Sequence, residues 1–171
     1  IQLGPGRLLK LQRDSTVPYV AMTFQQGGGN ALLTPAQQGL AELTARTLTD
    51  GYGSMDAQQV EQWFSERAAS LSASAGLQTF SVSITGPARF TRDYFRQLDS
   101  MLRTPHFSQK DMERQVQNML AALVRRQDNP QALLFSRVRQ FLFPGHCYGF
   151  DSLGTPDQLR HITRKDVQDF W

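Results

Sequence analysis

The sequence of 171 residues has few of the residues that build disulfide frameworks or metal knuckles. Cys147 is its single cysteine, so no disulfide can form within the chain and no Cys-x-x-Cys site exists. The chain has three histidines, and none of them lies between Ile1 and Pro105. No stretch reaches the ~18 apolar residues that a membrane span needs, and residues 1–13 lack the layout of a signal peptide. We therefore expect a soluble chain without a disulfide scaffold.

The sequence also lacks a large excess of charge of either sign. The 18 basic and 15 acidic residues give a net charge of +3, and the basic residues are scattered instead of forming a stripe. Nucleic-acid binding proteins concentrate their positive charge on one surface, so this pattern does not favour that function. With 40% hydrophobic residues, a chain of this length is able to form one domain with a real core.

Hydrophobic periodicity in the first half of the chain predicts a mixture of strands and helices. Thr34, Pro35 and Gln37 form a capping-box pattern that predicts the start of the first helix. The predicted elements are strands at 8–11 and 17–24 around a polar turn at 13–16, helices at 34–51 and 56–68, and a strand pair over 71–84 that bends at Gly76.

The second half is predicted to be helical. The elements are a helix at 90–104, a helix opened by Ser108, a helix opened by Asn129 and Pro130, a glycine-rich loop at 144–155, and short helices from Thr155 and Thr163. The expected buried face of the helix from Pro130 consists of Leu133, Leu134, Val138, Phe141 and Leu142. This order does not alternate as a parallel sheet would, so it predicts an α+β fold with an antiparallel sheet packed against several helices.

Four segments in order resemble the insulinase, pitrilysin and mitochondrial-processing-peptidase family. They are GLAEL at 39–43, LSAS at 71–74, DNP at 128–130 and LGTP at 153–156, and the resemblance covers nearly the whole chain. It implies a metallohydrolase fold of the processing-peptidase type. It also implies that a complete unit continues with further strands, so we expect residues 1–171 to be a single, incomplete module of a longer protein.

Active members of that family carry an H-x-x-E-H motif on the first helix. Two histidines four residues apart share a helical face and bind one zinc ion, while the glutamate activates the metal-bound water. The matching positions are Glu42, Ala45 and Arg46, and the third ligand, a glutamate about eight residues before the proline of the D-x-P segment, is matched by Ala122. The resemblance therefore implies no catalytic residue, no metal and no cofactor in this chain.

The resemblance implies a non-catalytic half of a zinc metalloendopeptidase. Such a half closes a chamber and helps to hold peptide for a partner domain, in the same or a neighbouring chain, that carries the H-x-x-E-H motif and the zinc. We expect this chain alone to be inactive, although the parent protein would be a zinc peptidase. The alternative is a structural or assembly subunit, like the inactive homologues in respiratory complexes. The compartment stays open, although bacterial relatives of this kind often work in the cell envelope.

Two further sets of residues bear on binding. In the family, the segment matched by Ser72, Ala73 and Ser74 is an edge strand that pairs with extended substrate, so these residues are candidates for peptide contact. His106, His146 and His161, with Cys147, are the only other residues that suggest a metal site. Because His146 and Cys147 are adjacent in a predicted loop, we interpret them as structural residues.

Overall fold

The structure, a computed structural model, describes residues 1–14 and 16–171. Its strands are β1 (Gln2–Gly4), β2 (Arg7–Leu8), β3 (Tyr19–Gly27), β4 (Gly51–Tyr52), β5 (Met55–Asp56), β6 (Ser70–Ala75) and β7 (Thr79–Pro87). Its α-helices are α1 (Leu40–Leu48), α2 (Ala57–Ser65), α3 (Thr91–Arg103), α4 (Gln109–Gln127), α5 (Pro130–Leu142), α6 (Pro156–His161) and α7 (Arg164–Phe170). None of the described helices combines the length and apolarity needed to cross a membrane.

The main sheet has three antiparallel strands in the order β3-β7-β6. The central strand β7 alternates, and its buried side chains Phe80, Val82 and Ile84 face the helices. Strand β6 pairs with β7 along one side and has no strand on its other side among the described residues. The predicted α+β fold with an antiparallel sheet is confirmed.

Helix α1 lies in the core. Seven of its nine residues are buried, whereas Glu42 and Arg46 are half-buried. Its threonines satisfy their hydroxyl groups within the helix, because Thr44 donates to the Leu40 carbonyl and Thr47 to that of Leu43. A helix that is buried on most of its sides needs neighbours all around it, and α1 contacts β6, α4 and α7.

The start of the first helix differs from the prediction. The capping box of Thr34 and Gln37 is present, but it closes a 3-10 turn at Pro35–Gln37, and α1 begins only at Leu40. The break lies at Gly39, whose φ of 89° is left-handed. A Cβ atom at Gly39 would lie 2.9 Å from Leu159 Cδ2 and 3.0 Å from the Leu153 carbonyl oxygen. The GLAEL and LGTP segments therefore touch, which requires glycine here.

The amino-terminal strand prediction at 8–11 is wrong. The chain instead forms the β1-β2 hairpin, in which Gln2 lies opposite Leu8, and Lys10 and Leu11 are not in a strand. The predicted second strand is found as β3, displaced to 19–27. The predicted turn at 13–16 includes Ser15, which lies outside the described residues. Next to it, the Thr16 amide and hydroxyl both donate to Asp14 Oδ1.

The predicted buried face of α5 is exposed. The exposed side chains include Leu134, Val138, Phe141 and Leu142, and Phe141 is 83% exposed. Only Ser136 is buried, since it faces the loop that follows the helix, and Leu133 is half-buried. Periodicity identifies an amphipathic helix correctly but does not reveal what covers its apolar side.

Gly29 offers a test of the packing at the end of β3. Its φ is 69°, and a Cβ atom there would lie 2.2 Å from the Gly76 carbonyl oxygen. We expect Gly29→Ala to lower the free energy of unfolding by about 2 kcal/mol, because rigid backbone blocks the added methyl group. Gly145→Ala is the matched control, since its φ is 73° but no atom lies within 4 Å of the added Cβ. Equal losses in urea denaturation of the two variants would contradict the close approach.

Candidate functional site

The positions of the H-x-x-E-H motif are occupied by an ion pair. Arg46 Nε donates to Glu42 Oε1 at 2.7 Å across one turn of α1, and the side chains are 32% and 19% exposed. The spacing that would bring two histidines to one zinc ion instead brings a guanidinium to a carboxylate. A guanidinium has no lone pair for a metal, and its charge repels a cation. These two side chains therefore neutralise each other.

The remaining two positions carry methyl groups. Ala45 is fully buried on α1, and Ala122 is half-buried on α4, which packs against α1. Neither side chain can ligate a metal or accept a proton. Within the described part of the chain, no group of three or more His, Cys, Asp or Glu side chains is arranged to hold a metal ion.

The histidines form separate local contacts. His106 Nε2 donates to the Gly53 carbonyl at 2.8 Å, and His161 Nδ1 donates to the Asp157 carbonyl at 2.6 Å. His146 Nδ1 accepts the amide of Tyr148 at 3.2 Å and lies 3.6 Å from Cys147 Sγ. Each of these contacts holds a turn or a helix end.

The segment predicted to contact peptide lies on the edge strand. Ser72 and Ser74 are exposed, whereas Ala73 is half-buried, as β6 alternates between solvent and core. Ser74 Oγ lies 3.0 Å from Ser81 Oγ of the neighbouring strand, so this hydroxyl is engaged in a cross-strand hydrogen bond. The backbone groups on the outer side of an edge strand remain open for pairing with another chain.

A cavity of about 540 Å³ adjoins the start of β6. It lies between the end of α1, one side of α2 and the beginning of α4, and Asp50 lies in its wall. Asp50 pairs with Arg114 Nη2 at 3.0 Å and accepts a hydrogen bond from Gln115 Nε2 at 2.8 Å. Burial raises the pKa of Asp50 despite these two partners. Sequence reasoning missed this site, because Arg114 is 64 positions away from Asp50 and no local pattern links them.

A second cleft contains a buried ion pair that sequence reasoning also missed. Arg126 approaches Asp151 with two nitrogens, Nη2 at 2.6 Å from Oδ2 and Nη1 at 2.8 Å from Oδ1. Asp151 is 4% exposed, and it also accepts the Leu153 amide at 3.0 Å. The hydrogen bond with Asp151 raises the pKa of Arg126. The pair fastens α4 to the loop that carries the LGTP segment.

Two solved protein structures have an architecture similar to that of this chain. No family model matches the chain. The crystal structure of a peptidase M16 inactive domain from Pseudomonas fluorescens is similar, with a TM-score of 0.82 and 20% identity over 91% of this chain and 38% of that chain. The crystal structure of a protease from Helicobacter pylori also has a TM-score of 0.82, with 14% identity over 90% of this chain and 38% of that one.

The chain therefore shares its fold with that peptidase M16 inactive domain, which confirms the predicted insulinase-like resemblance at the level of the fold. In amino-acid sequence, the chain is 26% identical over 150 residues to the non-peptidase homolog YmxG of Helicobacter pylori. That match covers 88% of this chain and 34% of the relative, so the chain spans about a third of the length of the curated protein.

Proposed function

We propose that the chain is the non-catalytic half of an insulinase-like zinc metalloendopeptidase. It closes the chamber and helps to hold peptide for a partner domain that carries the zinc. The observation that supports this most strongly is the Glu42–Arg46 ion pair on α1, next to the open strand β6. The scaffold of a zinc site is kept, while the side chains that would use the metal are replaced.

The open edge of β6 supports peptide holding. An extended peptide can add to such an edge through main-chain hydrogen bonds, which tolerate many side chains. The side chains of Ser72, Ala73 and Ser74 are small, so they leave the backbone accessible. Holding of this kind needs no catalytic group in this chain.

An exposed apolar stripe on α5 supports the presence of a partner domain. We define this stripe as Leu134, Phe135, Val138, Phe141 and Leu142. All five side chains are at least 41% exposed. Contiguous apolar surface of this kind marks interaction sites in soluble domains. The curated relative is about three times as long as the matched segment, which leaves room for such a partner in the same protein. In the proposed assembly the zinc belongs to that partner.

An assembly subunit without a peptidase role is the second candidate. The stripe of α5 is as consistent with an assembly subunit as with a chamber half, because any stable partner would cover the same surface. The two functions differ in one respect, since only a chamber half binds peptide.

Reconstitution with the catalytic domain tests the proposal. We expect the H-x-x-E-H domain encoded in the same or a neighbouring gene to cleave an unfolded peptide at least about 10-fold faster with this protein than without it, because two halves position the substrate. Steady-state cleavage of a fluorogenic peptide measures the effect. Stable association without any change in the cleavage rate and without peptide binding would favour the assembly subunit.

The stripe of α5 gives a second prediction. Leu134→Ser with Phe141→Ser should leave the free energy of unfolding within about 0.5 kcal/mol per site, because both side chains are exposed. Association with the partner should weaken by about 10-fold to 100-fold, as expected for apolar anchors. Phe95→Ser on α3 is the control, since Phe95 is 52% exposed on a different helix. Unchanged association of the double variant in calorimetric titration would exclude this surface.

A further inference from the structure

We propose that the cavity beside the start of β6 is a pocket for a long, positively charged side chain, lysine or arginine, of a peptide paired with that strand. The inference rests on the proposed peptide-holding function and adds a specificity to it. The lining residues that bear on this specificity are Asp50, Val60, Glu61, Phe64, Leu71 and Arg114.

The geometry connects the cavity to the open strand. Ser70 and Leu71 are the first two residues of β6, and both also line the cavity. A peptide that extends the sheet along β6 therefore passes the mouth of the cavity at its end near Ser70. Side chains of a strand alternate between the two faces of the sheet, so one residue of such a peptide can point into the cavity. Its volume of about 540 Å³ falls within the usual range of ligand pockets.

The lining combines an apolar wall with acidic groups. Val60 and Phe64 line the cavity from α2 with apolar side chains. Lysine and arginine bury their aliphatic stems against such surface and keep the charged head near polar groups. The cavity therefore suits a side chain that is apolar along its length and charged at its tip.

The charges of the lining favour a cation. Asp50 is paired with Arg114, whereas Glu61 takes part in no ion pair among the described residues. Two carboxylates and one guanidinium leave one negative charge without a counter-charge in the lining. Burial raises the pKa of Asp50, although Gln115 and Arg114 act in the opposite direction. A cationic guest would supply the missing charge, and an acidic guest would be repelled.

Peptide binding by the full-length protein tests the pocket. The probes are three fluorescein-labelled decapeptides, Gly-Ser-Thr-Val-Thr-Xaa-Thr-Val-Ser-Gly, in which Xaa is lysine, norleucine or glutamate. We expect the lysine peptide to bind about 10-fold more tightly than the norleucine peptide, and the glutamate peptide to bind most weakly. Glu61→Gln should reduce the preference for lysine over norleucine to about 2-fold. Fluorescence anisotropy measures the three affinities.

Glu66→Gln is the matched control, because Glu66 follows α2 but does not line the cavity. It should leave the preference for lysine unchanged. Equal binding of all three peptides, or the same preference in Glu61→Gln, would overturn the pocket and leave the proposed peptide holding intact. Failure of every peptide to bind would overturn the proposed peptide holding, and the pocket with it.

Discussion

Replacing Glu42 and Arg46 with histidine and Ala122 with glutamate should create a zinc site with a dissociation constant on the order of 1 µM or lower. The two new histidines would be four residues apart on one face of α1, where the present side chains already meet at 2.7 Å. The new glutamate would project from α4, which packs against α1. Three protein ligands with an open fourth position form the usual catalytic zinc arrangement.

Ala45 is left unchanged in this triple variant. Its side chain is fully buried, and a carboxylate without a metal beside it would be costly there. Zinc binding is thereby tested separately from the water-activating base. Zinc content by elemental analysis and affinity by titration calorimetry measure the gain, with the unchanged protein, which we expect to be metal-free, alongside.

The double variant Glu42→His with Ala122→Glu is the control for the charge of Arg46. It retains the guanidinium, which cannot ligate and repels the ion, so we expect zinc binding at least about 100-fold weaker than in the triple variant. Failure of the triple variant to bind zinc would show that Ala122 does not occupy the third ligand position. Tight stoichiometric zinc binding by the unchanged protein would instead direct attention to His106, His146, His161 and Cys147.

Local signals in the sequence predicted most of the helical structure. The apolar stripe predicted a helix at 90–104, and α3 is found at Thr91–Arg103. Ser108 caps α4 through the Asp111 amide, and Asn129 caps α5 through the Ala132 amide, as their positions predicted. These elements were predictable because the residues that start, bury and end each of them lie within a few turns.

Features made by distant residues were not predictable in the same way. The Arg126–Asp151 pair joins residues 25 positions apart, and Arg114 completes the cavity at β6 from 64 positions beyond Asp50, so no periodicity connects them. The exposure of the α5 stripe likewise cannot be read from the period of its apolar residues. The Glu42–Arg46 pair is different. A glutamate followed by an arginine four residues later on a helix is a stabilising pair by itself, so the sequence contained this signal beside the missing ligands.

Arg126→Met should lower the free energy of unfolding by about 3 kcal/mol, near the lower end of the range for breaking a buried ion pair. The side chain of Asp151 is 5% exposed, so its carboxylate would lose both guanidinium contacts in a largely buried position. Because the Arg126 side chain is 23% exposed, solvent already weakens the pair somewhat. Urea denaturation measures the loss. Arg125→Met is the matched control, since Arg125 is exposed and has no ion pair among the described residues, and it should change stability by less than about 0.5 kcal/mol.

The double variant Arg126→Met with Asp151→Asn separates the pair from its surroundings. Asparagine removes the charge and can still accept the Leu153 amide, so the double variant should be more stable than Arg126→Met alone. The coupling energy between the two sites should be at least about 1.5 kcal/mol in a double-mutant cycle. Additive losses would show that the two side chains act independently. In that case the position of the 151–156 loop would depend on the close approach of Leu153 and Gly154 to Gly39 and not on this ion pair.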